Sequence, residues 1–240
     1  MKLHRAVFVF VMASVEMVGQ SGVTLAWNER AIRHQEAGQF AEAREAYLAA
    51  MRVEELTKES TATRVRLYLN LAALELEMGE REPAAKWVRA AGLLASELPA
   101  ESAEVAGVHS GIASIELAEG KLAEAYGEYT KALEILTRVN GRAEDVAGVL
   151  QNMGSVRMRQ KRYKEARRDF ERAVELVAGG PQLVKALAGL SSAEYLLGEH
   201  AAAERTAGRA LALAEAMYGR EHWLVRGLVR NRAVIAAKGK

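Results

Sequence analysis

Small and large apolar residues recur along this chain at intervals of three and four, the spacing that lines one face of a helix. The clearest stretch, Leu150 to Ala173 (LQNMGSVRMRQKRYKEARRDFERA), fits a helix, a turn and a second helix. Gly154 and Ala166 are its small positions, where paired helices can approach, and Tyr163, Phe170 and Ala173 face the seam. The second-helix pattern, a small residue and then a large one four places on, recurs as Ala43 and Tyr47, Ala84 and Val88, Ala125 and Tyr129, and Ala166 and Phe170. A fifth copy keeps Ala203 but has only Ala207 at the second place. A further alanine follows three residues later each time, at Ala50, Ala91, Ala132, Ala173 and Ala210. These positions read as core.

The turns set a period. In each pair the first helix ends at Gly38, Gly79, Gly120, Lys161, Gly198 or Gly239, at successive intervals of 41, 41, 41, 37 and 41 residues. The short interval lacks four residues, about one helical turn, so the array should shorten there and keep its register. Breakers separate the pairs: Pro99, Asn140-Gly141, Gly179-Gly180-Pro181 and Gly219. Pro83 stands where the first turn of a helix accepts proline. A last helix, about residues 221–237, repeats only the first half of the unit and reads as a terminal cap.

This pattern resembles the tetratricopeptide repeat, whose signature has a small residue early in the first helix and Ala-x3-aromatic in the second. Trp27 fits the signature tryptophan position of the first repeat. The ordinary period of the family is about 34 residues, and the longer period here is similar to the kinesin-light-chain variety. The ending YGREHWLVRGLVRNRAVIAAKGK resembles that variety's loop and first helix. The resemblance covers about residues 25–240. It implies an all-α, right-handed solenoid of antiparallel helix pairs, with five repeats and a cap over residues 27–240.

In the family the first helices line a concave groove that holds a peptide or a partner's helix. By position, the groove residues here are expected to be Arg66 and Asn70 in repeat two, and Gln151, Asn152 and Ser155 in repeat four. Lys185, Ser192 and Tyr195 in repeat five and Arg226 and Arg230 in the cap complete the set. Asn70 and Asn152 occupy a place where the longer-repeat family often has asparagine, whose carboxamide can hold a peptide backbone by donating and accepting. The basic members could pair with an acidic partner or a C-terminal carboxylate. Repeat three departs from the pattern with Ser110, Gly111 and Ser114. Its stretch of groove is expected to be smooth.

Composition changes this picture little. Three prolines in 240 residues and an abundance of Ala, Leu and Glu favour helix throughout. The absence of cysteine removes disulfides, thiolate metal sites and cysteine nucleophiles. Charge is uneven: residues 1–120 carry 12 Lys/Arg against 17 Asp/Glu, and residues 121–240 carry 21 against 14. The densest basic cluster is Arg157 to Arg172, which could meet an anionic partner such as nucleic acid or an acidic peptide. No aromatic stacking platform or nucleic-acid motif accompanies it, so a solvated helix pair is expected instead.

At the start, Lys2 and Arg5 precede the apolar run Ala6 to Val15, and small residues follow. Residues 1–26 therefore read as a secretory signal peptide, with cleavage after Ser21 or Ala26; the run is too short to span a bilayer. The other reading is an apolar helix that caps the open edge of repeat one in a cytoplasmic protein.

Candidate chemistry is sparse. His4, His34, His109, His200 and His222 have no paired metal-ligand spacing. Ser110-Gly111 and Ser191-Ser192 lack the strand–turn–helix of a nucleophile elbow, and no Gly-rich loop precedes a helix with a lysine. The expectation is a scaffold or adaptor that binds a protein or peptide, with no cofactor, metal, catalytic residue or nucleic acid. The alternatives are a cytoplasmic regulatory or sensor module, and an enzyme on a helical-repeat scaffold.

Overall fold

The structure is a computed structural model that describes residues 20–57 and 60–238. Among these residues there are eleven α-helices and no strand. The chain divides into two compact units, residues 1–100 and 101–240. The first holds α1 (Gln20–Glu36), α2 (Phe40–Thr57), α3 (Thr61–Glu77) and α4 (Arg81–Ala95). The second holds α5 (Ala103–Glu119), α6 (Leu122–Arg138), α7 (Ala143–Arg159), α8 (Tyr163–Leu176), α9 (Gly180–Leu196), α10 (His200–Tyr218) and α11 (Trp223–Lys238). The candidate leader lies outside the described residues as far as residue 19, and residues 20–26 form the first turns of α1.

Five tight turns with one geometry join the helices of each pair. In each, a backbone N–H one or two residues beyond the helix reaches the carbonyl three residues before it, and the following N–H closes a wider ring. Gly79 N–H donates to Leu76 O at 3.0 Å and Glu80 N–H to Glu75 O at 2.8 Å; Lys161 N–H donates to Met158 O at 3.0 Å and Arg162 N–H to Arg157 O at 2.9 Å. This ending needs one residue in the left-handed region, usually glycine. Four of the five have it, and Lys161 adopts φ 61° with a full side chain. The sixth expected turn, at Gly239, lies outside the described residues.

Two of the connections between pairs start the next helix with a serine cap. The Ser60 hydroxyl accepts from Thr63 N–H at 3.0 Å and Ser102 from Val105 N–H at 3.3 Å, satisfying donors that a helix start leaves open. Pro181 sits in the first turn of α9, where its missing N–H costs nothing. The 37-residue interval is taken up where expected: α8 has 14 residues, against 17 in α6 and 19 in α10.

The small-and-large stripe is buried throughout. Ala43, Ala84, Ala125, Ala166 and Ala203 have no exposed surface, nor do Ala50, Ala91, Ala132, Ala173 and Ala210. Tyr47, Tyr129 and Phe170 fill the larger positions. Burial pushes the Tyr129 hydroxyl up to about 12, against the opposing pull of its hydrogen bond with Ser114. Small residues on the first helices meet this stripe from the other side. A Cβ on Gly154 would stand 2.8 Å from the Phe170 ring, and one on Gly189, in the next pair, 2.3 Å. Phe170 is therefore clamped between two bare backbones.

The same first-helix row, seven residues before the turn, holds Ala31, Ala72, Ala113, Gly154 and Ser191, all buried. In α11 its counterpart is Arg232, which is exposed and reaches back to Glu204 of α10 at 2.8 Å.

Charged groups also enter the seams. Glu75, 1% exposed, receives both Nε and Nη2 of Arg44 at 2.8 and 2.9 Å, tying α2 to α3. Buried Glu54 lies 3.6 Å from Arg64. In the second unit Arg157 donates to buried Asp169 at 2.5 Å and to the Tyr126 hydroxyl, with its guanidinium 4.8 Å from the Tyr126 ring centre. Burial raises the Asp169 carboxyl, and the Arg157 charge opposes that rise.

Candidate functional site

The expected partner-binding residues stand on first helices, and the two units are taken separately. In the first, Arg66 is exposed on α3, with a hydrogen bond to Thr63 Oγ1 at 3.3 Å. Asn70, one turn on, donates from Nδ2 to Asn28 Oδ1 of α1 at 3.0 Å. Its carboxamide links two first helices, so part of its capacity is already used. Asn28 was no part of the expected set. The signal that could have found it is the 42-residue separation of the two asparagines, close to one period.

In the second unit the residues separate into two groups. One is engaged within the fold. Gln151 is buried on α7 and donates from Nε2 to the Gln182 carbonyl at the start of α9, at 3.0 Å. Ser155 and Ser192 turn their hydroxyls back to the carbonyls of Gln151 and Ala188, each at 2.9 Å. Tyr195 packs against Ala203, Ala207 and Ile235, with its ring centre 5.4 Å from that of His200. Gln151 and Tyr195 thus hold α9 to its neighbours, a role that polarity and register alone do not reveal.

The other group is unengaged. Lys185 on α9 and Arg226 and Arg230 on α11 are exposed, and no described residue hydrogen-bonds or ion-pairs with their side chains. Asn152 is half-buried on α7, and its carboxamide likewise has no partner among the described residues. One helical turn before Asn152, Gly148 leaves the backbone bare, with no atom within 4 Å of where its Cβ would be. Helices α9 and α11 share a core of Val184, Leu187, Val225 and Leu228, and α7 joins it through Ala147 and Leu150. One packed cluster therefore carries a cationic row, a free carboxamide and open backbone.

Ser114 on α5 bonds the Ser110 carbonyl and the Tyr129 hydroxyl, each at 2.8 Å. Among the described residues no group of three or more His, Asp or Glu could hold a metal ion. No helix there is long and apolar enough to cross a membrane.

Paired antiparallel helices on a period of about 41 residues, with no strand among the described residues, place the chain in the all-α solenoid class. Residues 145–216 match the family described as tetratricopeptide repeat. The BtubC (BKLC) structure from P. vanneervenii is 26% identical, with a TM-score of 0.58 over 91% of this chain and 86% of that one. Putative kinesin light chain repeats from Podosopora anserina share the fold at 19% identity and a TM-score of 0.53, over 80% of this chain and 94% of that one. NprR, solved in complex with its cognate peptide NprX, aligns with a TM-score of 0.73 at 17% identity, over 90% of this chain and 63% of that one. No curated protein matches the chain.

Proposed function

We propose that this chain is a non-catalytic interaction module that holds a peptide or a partner's helix on the first helices of α7, α9 and α11. The observation that carries this reading is the set of polar groups with no partner among the described residues there: Asn152, Lys185, Arg226 and Arg230. Gln151, Ser155 and Asn70, expected on the same face, are by contrast engaged within the fold. Structural likeness to NprR, whose structure contains a peptide, supports the same use of the fold. The carboxamide suits a peptide backbone and the cations suit carboxylates. Arg66 on α3 is a further candidate contact within the first unit.

The test begins by selecting peptides from a random library against the full chain and measuring their affinity by calorimetry. In a variant carrying Asn152→Ala, Lys185→Ala, Arg226→Ala and Arg230→Ala, affinity is expected to fall at least about tenfold while the helical circular dichroism is unchanged. Equal binding to parent and variant would move the site elsewhere.

The module is proposed to act after export. Should residues 1–26 act as a leader, cleavage after Ser21 fits α1 better than cleavage after Ala26, because Val23 and Thr24 are buried in α1. The mass of protein isolated from its native cells decides this. A chain beginning at Gly22 is expected, and an intact N-terminus would make the protein a cytoplasmic regulatory or sensor module instead.

A further inference from the structure

Most acidic groups around α8 and α10 are paired with arginines of the same or a neighbouring helix. Asp169 takes Arg157 at 2.5 Å and Glu165 takes Arg162 at 3.2 Å. Glu199 and Glu171 both take Arg167, at 2.7 and 3.4 Å, and Glu204 takes Arg232 at 2.8 Å. The contact of Arg167 with Glu199 ties α8 to the start of α10. Apart from exposed Glu175 at the end of α8, what remains outward is cationic: Lys164, Arg168 and Arg172 on α8, and Arg205 and Arg209 on α10. All five are exposed, and none has a hydrogen-bond or ion-pair partner among the described residues.

Their register is shared. Arg168 and Arg205 each lie seven residues past the turn, and Arg172 and Arg209 each lie eleven past it. The corresponding places on α6 are Gly127 and Lys131, and Lys131 is neutralised by Glu128 at 2.6 Å. The ridge is thus confined to two successive second helices, on the side away from the first-helix row.

We infer that this ridge is a second docking surface, and that its occupant is an acidic helix of a partner protein. Steps of four along a helix advance about 6 Å, so Lys164, Arg168 and Arg172 form a row of evenly stepped cations. Carboxylates four apart on another helix advance by the same step. The guanidinium fork, present at four of the five positions, matches a carboxylate. Around the α10 cations the surface is low, with exposed Ala201, Ala212 and Ala216 beside Gly208, so a helix can lie against it. Single-stranded nucleic acid fits less well, because no exposed aromatic stands between the cations to stack a base. A lipid surface also fits less well, because the exposed apolar residues Leu176 and Met217 stand only near the helix ends.

The test uses the full chain and a fluorescent alanine-based peptide of about 20 residues, long enough to be helical, with glutamate at every fourth position. Binding is expected at low ionic strength, weakening as salt rises, and stronger than for a peptide of the same composition in scrambled order. Arg168→Glu with Arg209→Glu is expected to weaken it by about tenfold, whereas Arg81→Glu with Arg89→Glu, at exposed cations of α4, leaves it unchanged. Circular dichroism of both variants checks that the helices persist. The inference is overturned by absence of binding, by equal affinity for the scrambled peptide, or by an equal response of the two variants. It is also overturned if an oligonucleotide or a phosphatidylserine vesicle binds the same five cations more tightly.

Discussion

Phe170 shows how closely single residues are constrained. Its ring lies against the bare backbone of Gly154 in its own pair and of Gly189 in the next. A methyl group at 189 would enter the ring's volume, because 2.3 Å is far inside carbon–carbon contact, and the aromatic ring is too wide to move aside. Gly189→Ala is expected to cost about 1–3 kcal/mol, in line with overpacked cores, as read from the urea midpoint. Combining it with Phe170→Leu should cost less than the two changes summed. Lys161 offers the opposite case. It holds φ 61° with a side chain, a conformation that costs an ordinary residue about 1 kcal/mol, while its equivalents are glycine. Lys161→Gly is therefore expected to raise stability by roughly that amount, less the entropy glycine adds to the unfolded chain, and urea unfolding would measure it. The turn at 161 was legible in the sequence because the 41-residue interval places it there. The clamp on Phe170 was legible only by half, since Gly154 shares its pair and Gly189 is brought in by the next.

At the level of helices, pairing was readable and polar bridging was not. The alanine stripe and the period determine which helices pack, because burial follows directly from periodicity. Whether a polar residue on that framework faces solvent or a neighbouring helix depends on a few degrees of rotation. Gln151 and Asn152 are adjacent in the chain, yet one is spent on the Gln182 carbonyl and the other has no partner among the described residues. The α2–α3 seam rests on a bridge of this hidden kind. Arg44→Met would leave the Glu75 carboxylate buried without its cation, and a loss of about 2 kcal/mol is expected. That is below the range for a wholly buried pair, because Arg44 is 41% exposed. Adding Glu75→Gln should restore much of the loss by removing the stranded charge. Thermal unfolding of the two single variants and the double variant closes the cycle.

For the whole molecule, the period runs through residue 100 without interruption, Gly79 and Gly120 being 41 residues apart like their neighbours. Periodicity alone therefore describes one array, whereas the chain forms two compact units. The distinction lies in which side chains share a core, and that is not encoded in turn spacing. Each unit has clusters of its own: Tyr47, Leu67 and Leu71 in the first, Tyr129, Leu150, Leu187 and Val225 in the second. Residues 101–240 expressed alone are expected to be helical and to unfold cooperatively, as nearest-neighbour packing of repeats allows. A broad, non-cooperative melt would show that they need the first unit.

Arg232 bears on how such chains grow by duplication of helix pairs. A second helix packed on this row of α11, as in the earlier pairs, would meet a guanidinium where each of them offers a methyl group, a hydroxyl or nothing, and seating it would strip Glu204 of its counterion. A copied second helix therefore needs two coordinated substitutions to dock on α11, whereas one docking on an earlier first helix meets no such charge.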